Sequence, residues 1–91
     1  MMQHEYSKTF LLGPKAASKA AELAKQESSK AIFSVTFRDG STLDIWEFLD
    51  KYYVIQMDSR HDIYSFEEVT KDYADNMEVM LRGTNVLFGG F

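Results

Sequence analysis

Ninety-one residues, 45% of them hydrophobic and 13 of them aromatic, specify one small folded domain rather than a disordered chain. With no cysteine, a disulfide framework, a thiolate zinc site and a thiol nucleophile are all excluded. The formal net charge of −4 is uneven: residues 1–38 carry six Lys/Arg against three Asp/Glu, and residues 39–91 carry four against eleven. An acidic C-terminal half repels phosphate backbones and favours basic partners.

No apolar run approaches the roughly 18 residues of a membrane span. Residues 1–15 also lack the charged start and apolar core of a signal peptide, so a cytoplasmic location is the expectation.

Residues 5–12, EYSKTFLL, alternate Tyr6, Lys8, Phe10 and Leu12 against Ser7, Thr9 and Leu11, the pattern of an edge strand. Gly13 and Pro14 then punctuate the chain, and Pro14 suits a first helical turn because its fixed φ fits there. The spacing predicts a helix from Lys15 to about Ser28, with Ala16, Ala20, Leu23 and Ala24 on one side. Its apolar face is made of small residues, so it depends on a neighbouring sheet to form.

Residues 31–64 read as consecutive strands. A three-residue loop of Arg38, Asp39 and Gly40 sets Val35 opposite Leu43 and Phe33 opposite Ile45, which separates apolar from polar side chains better than a two-residue loop would. A loop of Leu49, Asp50 and Lys51 sets Ile45 opposite Ile55 and Trp46 opposite Val54. A third at Asp58, Ser59 and Arg60 aligns Ile63 with Ile55. The three loops agree on one row of Phe33, Ile45, Ile55 and Ile63, a core face. A helix over Ser41 to Lys51 is the competing pattern.

Ser65 and Glu68 have capping-box spacing, and Phe66, Val69, Tyr73, Met77 and Met80 recur at helical intervals up to Leu81, with Gly83 placed as a C-terminal cap. Residues 84–91 offer a short strand, a cover for the sheet or a free end. The fold expected is α+β: a four-stranded antiparallel meander, with an N-terminal Ala-rich helix and a C-terminal amphipathic helix packed on one face, in one domain spanning 1–91.

Catalytic signatures are missing from the sequence: there is no nucleophile elbow, phosphate loop or paired-His motif. His61 sits between Asp58 and Asp62, where carboxylates serve as turn formers, and His4 lies near the N-terminus. No metal or cofactor is implied. The order helix, three strands, helix is similar to that of the double-stranded-RNA-binding domain, which meets phosphates with basic residues at the start of its last helix. Here that position holds Glu67 and Glu68, so nucleic-acid binding is not expected.

Two features point instead to a protein partner. On the second sheet face, Ile32, Trp46, Phe48, Tyr52, Val54 and Tyr64 gather at one end, either under a terminal segment or as interface anchors. Glu68, Asp72 and Asp75 fall at i, i+4 and i+7 of the second helix as one acidic stripe. The function expected is non-catalytic: a small acidic adaptor or inhibitor, of the kind supplied by phages and mobile elements, docking on a basic protein surface. Its anchors are Trp46, Phe48, Tyr52 and Tyr64, and its steering charges are Glu68, Asp72 and Asp75. The alternatives are a structural homo-oligomer, such as a homodimer, and a small enzyme or accessory subunit.

Overall fold

The computed structural model describes residues 9–89, with side chains over 10–83. In chain order the elements are β1 (Thr9–Leu12), α1 (Gly13–Ala24), β2 (Lys30–Thr36), β3 (Thr42–Phe48), β4 (Lys51–Met57), β5 (Ile63–Val69) and α2 (Lys71–Gly89). The strands form one sheet in the order β1-β5-β4-β3-β2, antiparallel throughout. The fold is therefore α+β, but the sheet has five strands where the sequence suggested four. The fifth is β1, part of the expected edge strand, which pairs with β5 through Thr9↔Glu68 to Leu12↔Ser65.

Three turns decide which side chains share a face. At the first, Val35 pairs with Leu43 and Phe33 with Ile45, as the three-residue loop of Arg38, Asp39 and Gly40 requires. Gly40 takes φ 90°, and the Phe37 N–H donates to the Ser41 carbonyl at 2.8 Å. A bulge between Ala31 and Phe33 leaves Ile32 as the extra residue of β2.

The second turn overturns the expected register. Phe48 pairs with Lys51, so the loop is only Leu49 and Asp50, with φ of 51° and 64°. Two consecutive left-handed residues make the tight turn whose twist matches the strands it joins. Ile45 accordingly faces Val54 rather than Ile55, and Trp46 faces Tyr53 rather than Val54. One residue of slip exchanges the faces of everything in β4.

The third turn is also displaced. Asp58 and Asp62 pair through the Asp58 N–H and the Asp62 carbonyl at 2.9 Å, His61 holds φ 71°, and Ile63 faces Met57. A bulge at this end then aligns Ile55 with Phe66. Residues 65–69 are thus strand, not the first turns of a helix. The cap belongs to Thr70: its hydroxyl accepts the Tyr73 N–H at 3.1 Å and its carbonyl accepts the Ala74 N–H at 3.0 Å. Gly83 is no cap either, since α2 continues to Gly89 and takes residues 84–89 with it. Positions 1–8 and 90–91, including His4, lie outside the described residues.

These registers place the helices on opposite faces, not on one. Val35, Leu43, Ile45, Val54 and Val69 form a core with Ala74, against which Tyr73, Met77 and Leu81 of α2 pack. Ile55 and Phe66 form the other core with Ala16, Ala20 and Leu23 of α1. The adjacent residues Val54 and Ile55 point into different cores because strand side chains alternate. The two largest wholly buried side chains, Ile45 and Phe66, anchor one core each.

Gly13, at φ 61°, turns the chain from β1 directly into α1 without a loop, and Pro14 stands in the first turn as expected. After α1 the chain enters β2 at the far edge of the sheet, so the charge asymmetry of the sequence becomes a spatial one. Lys15, Lys19 and Lys25 lie on or just beyond α1, while Asp72, Asp75 and Glu78 lie on α2.

Candidate functional site

The sequence-designated anchors are divided by the sheet. Trp46 and Phe48 pack on the α1 core, whereas Tyr52 packs on the α2 core, where its hydroxyl lies 3.4 Å from Glu47 Oε2. Tyr64 stays 42% exposed at the start of β5. Ile32 and Val54 also belong to the α2 side. The expected single aromatic patch does not form, because it was assembled in the slipped register.

The acidic stripe is broken because α2 begins only at Lys71. Glu68 is a β5 residue paired with Tyr53 and Thr9, so it shares no helix with Asp72 and Asp75. Asp75 is ion-paired to Lys71 at 3.0 Å, and Glu78 to Arg82 at 2.7 Å, which offsets much of the charge of α2 locally. Glu67 and Glu68 are likewise strand residues, so the comparison with the start of an RNA-binding helix does not carry over to this fold.

A different constellation takes the place of that patch. Along α1 an open trough of about 120 Å³ has Phe48, Tyr53 and Phe66 as its floor. Lys19, Glu22 and Leu23 of α1 form one wall, and Gln26 closes an end. The Tyr53 and Phe66 ring centroids are 5.2 Å apart with the planes tilted by 34°, an aromatic contact within the floor. Lys19 and Glu22 are ion-paired across the rim at 3.6 Å with both side chains more than half exposed. Trp46, opposite Tyr53 in the β3/β4 pairing, extends the aromatic floor toward β2.

The trough exists because α1 presents alanines. Ala16 and Ala20 let the helix axis come close to Ile55 and Phe66, and α1 sits mainly over β5 and β1. The β3 and β4 aromatics therefore project beyond its flank without a cover of their own. Burial, and secondarily the charge of Glu68, holds the Tyr53 phenol above its ordinary range. Tyr53 was missed in the sequence because the slipped register put it on the other face. The signal that would have found it is the two-residue loop, which alone sets Trp46 against Tyr53.

His61 occupies the left-handed position of the β4–β5 turn and is exposed. Its neighbour Asp58 organises that turn by accepting the Arg60 N–H at 2.9 Å and the Asp62 N–H at 3.1 Å. These bonds hold its carboxyl below the ordinary carboxylate range, those from the Asp62 and Arg60 backbone N–H groups above all. Among the described residues no group of three or more His, Cys, Asp or Glu is arranged to hold a metal ion. No described helix is long and apolar enough to cross a membrane.

No family model, curated protein or solved structure matches the chain.

Proposed function

We propose that this protein is a non-catalytic protein–protein interaction module, an adaptor or inhibitor that receives an apolar side chain of its partner in the trough beside α1. The observation that carries this reading is the partly exposed aromatic floor of Trp46, Phe48 and Tyr53, bordered by the Lys19/Glu22 pair. Aromatic residues flanked by a polar rim are the common composition of interface hot spots. An open trough also suits an inserted side chain better than it suits a small molecule, which needs most of its surface enclosed.

The partner is a protein with a basic surface. The net charge of −4 supports long-range attraction of such a surface. Glu22 at the rim and Glu68 beside Tyr53 supply local acids next to the aromatic floor. Asp72 and Asp75 lie on the opposite side of the sheet and contribute to the general field rather than to contact.

The test is affinity capture with the whole chain, comparing wild type with Phe48→Ala, and with folding of each variant checked by circular dichroism. A specific partner should be lost by about tenfold or more in the folded Phe48→Ala variant, in keeping with removal of an aromatic anchor. Lys19→Glu, on the rim and outside the core, should strengthen capture of a basic partner at low salt. Equal capture by the folded Phe48→Ala variant would overturn the trough as the docking site. Weaker capture by Lys19→Glu would overturn the basic partner.

A further inference from the structure

The two edges of the sheet are built differently. On β2 the edge carries the exposed Lys30 and the bulge at Ile32, and α2 reaches across to it, with the Arg82 guanidinium 5.3 Å from the centre of the Phe33 ring. A lysine, a bulge and a covering helix are the devices by which sheet edges resist pairing with another chain. Among the described residues none of them protects β1. Its four residues, Thr9 to Leu12, carry no charge and no irregularity, and the proline follows only after the strand has ended. Neither helix covers its outer side, because α1 sits chiefly on β5 and α2 crosses β4 and β2. Phe10 and Leu12, on the face opposite α1, remain 57% and 59% exposed.

We infer that the outer edge of β1 is a self-association surface, on which a second copy of this chain pairs its own β1 antiparallel about a two-fold axis passing near Leu11. The occupant follows from the symmetry of the strand itself. With Leu11 on the axis, Phe10 of each copy stands opposite Leu12 of the other, so the exposed apolar pair is its own complement. Charge agrees with this arrangement. Thr9, the neighbour of Glu68 in the sheet, falls opposite the partner's Gly13, which brings the partner's Lys15 at the start of α1 to the side on which Glu68 lies. The two sheets become one of ten strands with both α1 helices on the same side. The contact is small, because a four-residue strand and two apolar side chains per copy fall short of the roughly 1,200–2,000 Å² of a stable interface. The association is therefore concentration-dependent rather than obligate. It leaves the trough open, since Phe48 and Gln26 lie away from β1.

The experiment is sedimentation analysis of the whole chain from about 1 μM to 1 mM, a range that brackets weak association, beside a Phe10→Lys/Leu12→Lys variant. The mass of the wild type should rise toward twice the monomer value, and the variant should need at least about tenfold more protein to do so. Amide hydrogen exchange on the wild type supplies an independent reading should the variant fail to fold. Protection of β1 amides should increase with concentration while that of β2 amides does not. A wild type that remains monomeric to the top of the range overturns the inference. So does a dimer that forms equally well in the folded variant, or one whose added protection maps to β2 or α2.

Discussion

The two faces of the sheet solve the same packing problem with opposite materials. Under α1 the helix supplies alanines and the sheet supplies the bulk, so Ala16 and Ala20 are closed down onto Phe66 and Ile55. Under α2 the helix supplies the bulk, and Tyr73, Met77 and Leu81 lie over Val35, Leu43, Ile45 and Val54 while remaining partly exposed. A small-residue helix packs closely but covers little area, which is why the aromatics beyond its flank stay accessible. A large-residue helix fills the space over the sheet with its own side chains, and among those described Val79 and Met80 stay exposed on its outer side.

The sharpest break in this comparison is Phe66→Ala. Phe66 fills the α1 core, and its removal should cost about 3–5 kcal/mol, measured by denaturant unfolding, because alanines on the facing helix cannot collapse into the space. A loss below about 1 kcal/mol would mean that α1 is not seated on Phe66 as described.

Enlargement tests the two faces against each other. Ala16→Leu should destabilise by about 1–3 kcal/mol by forcing α1 off the sheet. Met77→Leu, a swap of similar volume at a partly exposed position, should cost less than about 1.5 kcal/mol. Equal sensitivity at the two positions would mean that the two faces are packed alike.

Alkaline titration gives the smallest effect and separates the faces most finely. Tyr53 on the α1 side, and Tyr52 and Tyr73 on the α2 side, are held above the ordinary phenol range first by burial and then by Glu68, Glu47 and Glu67 respectively. A raised folded-state value favours the protonated form. The associated stability is therefore complete below the ordinary tyrosine value of about 10 and is lost as pH rises through the folded values. Thermal melts should weaken above that pH. Glu68→Gln should lower the titration of Tyr53 while leaving Tyr73, which answers to Glu67, unchanged; NMR titration of the assigned tyrosine rings resolves the two.

How far the sequence could be read depends on which turn one asks about. The Asp39-Gly40 hairpin was legible to the residue, because glycine after aspartate advertises a left-handed position. Leu49-Asp50 was not, since nothing about leucine announces φ 51° and the chain adopts it only where the flanking strands demand the turn. From that missed residue follow the exchange of Val54 and Ile55, the false grouping of Tyr52 with Trp46, and the loss of Tyr53 from the candidate site. The second helix was recognised from Tyr73, Met77 and Met80, of which Met80 is exposed in the fold, and its start was drawn too early. Phe66 and Val69 fit a helical interval as well as a strand, and Ser65 and Glu68 imitate a cap that Thr70 provides.

By itself the sequence determined the α+β class, the helix opened by Pro14 with its stripe of small residues, the first hairpin and its register, and the uneven charge. Each of these is written in neighbouring residues whose backbone preferences or periodicity act locally. Only the tertiary structure decided which core each β4 residue enters, that the helices lie on opposite faces, that Thr9–Leu12 closes one edge of the sheet without being closed itself, and where the aromatic trough opens. Those outcomes hang on register, and register is settled by the summed burial of two whole faces, a quantity no single segment of the chain contains.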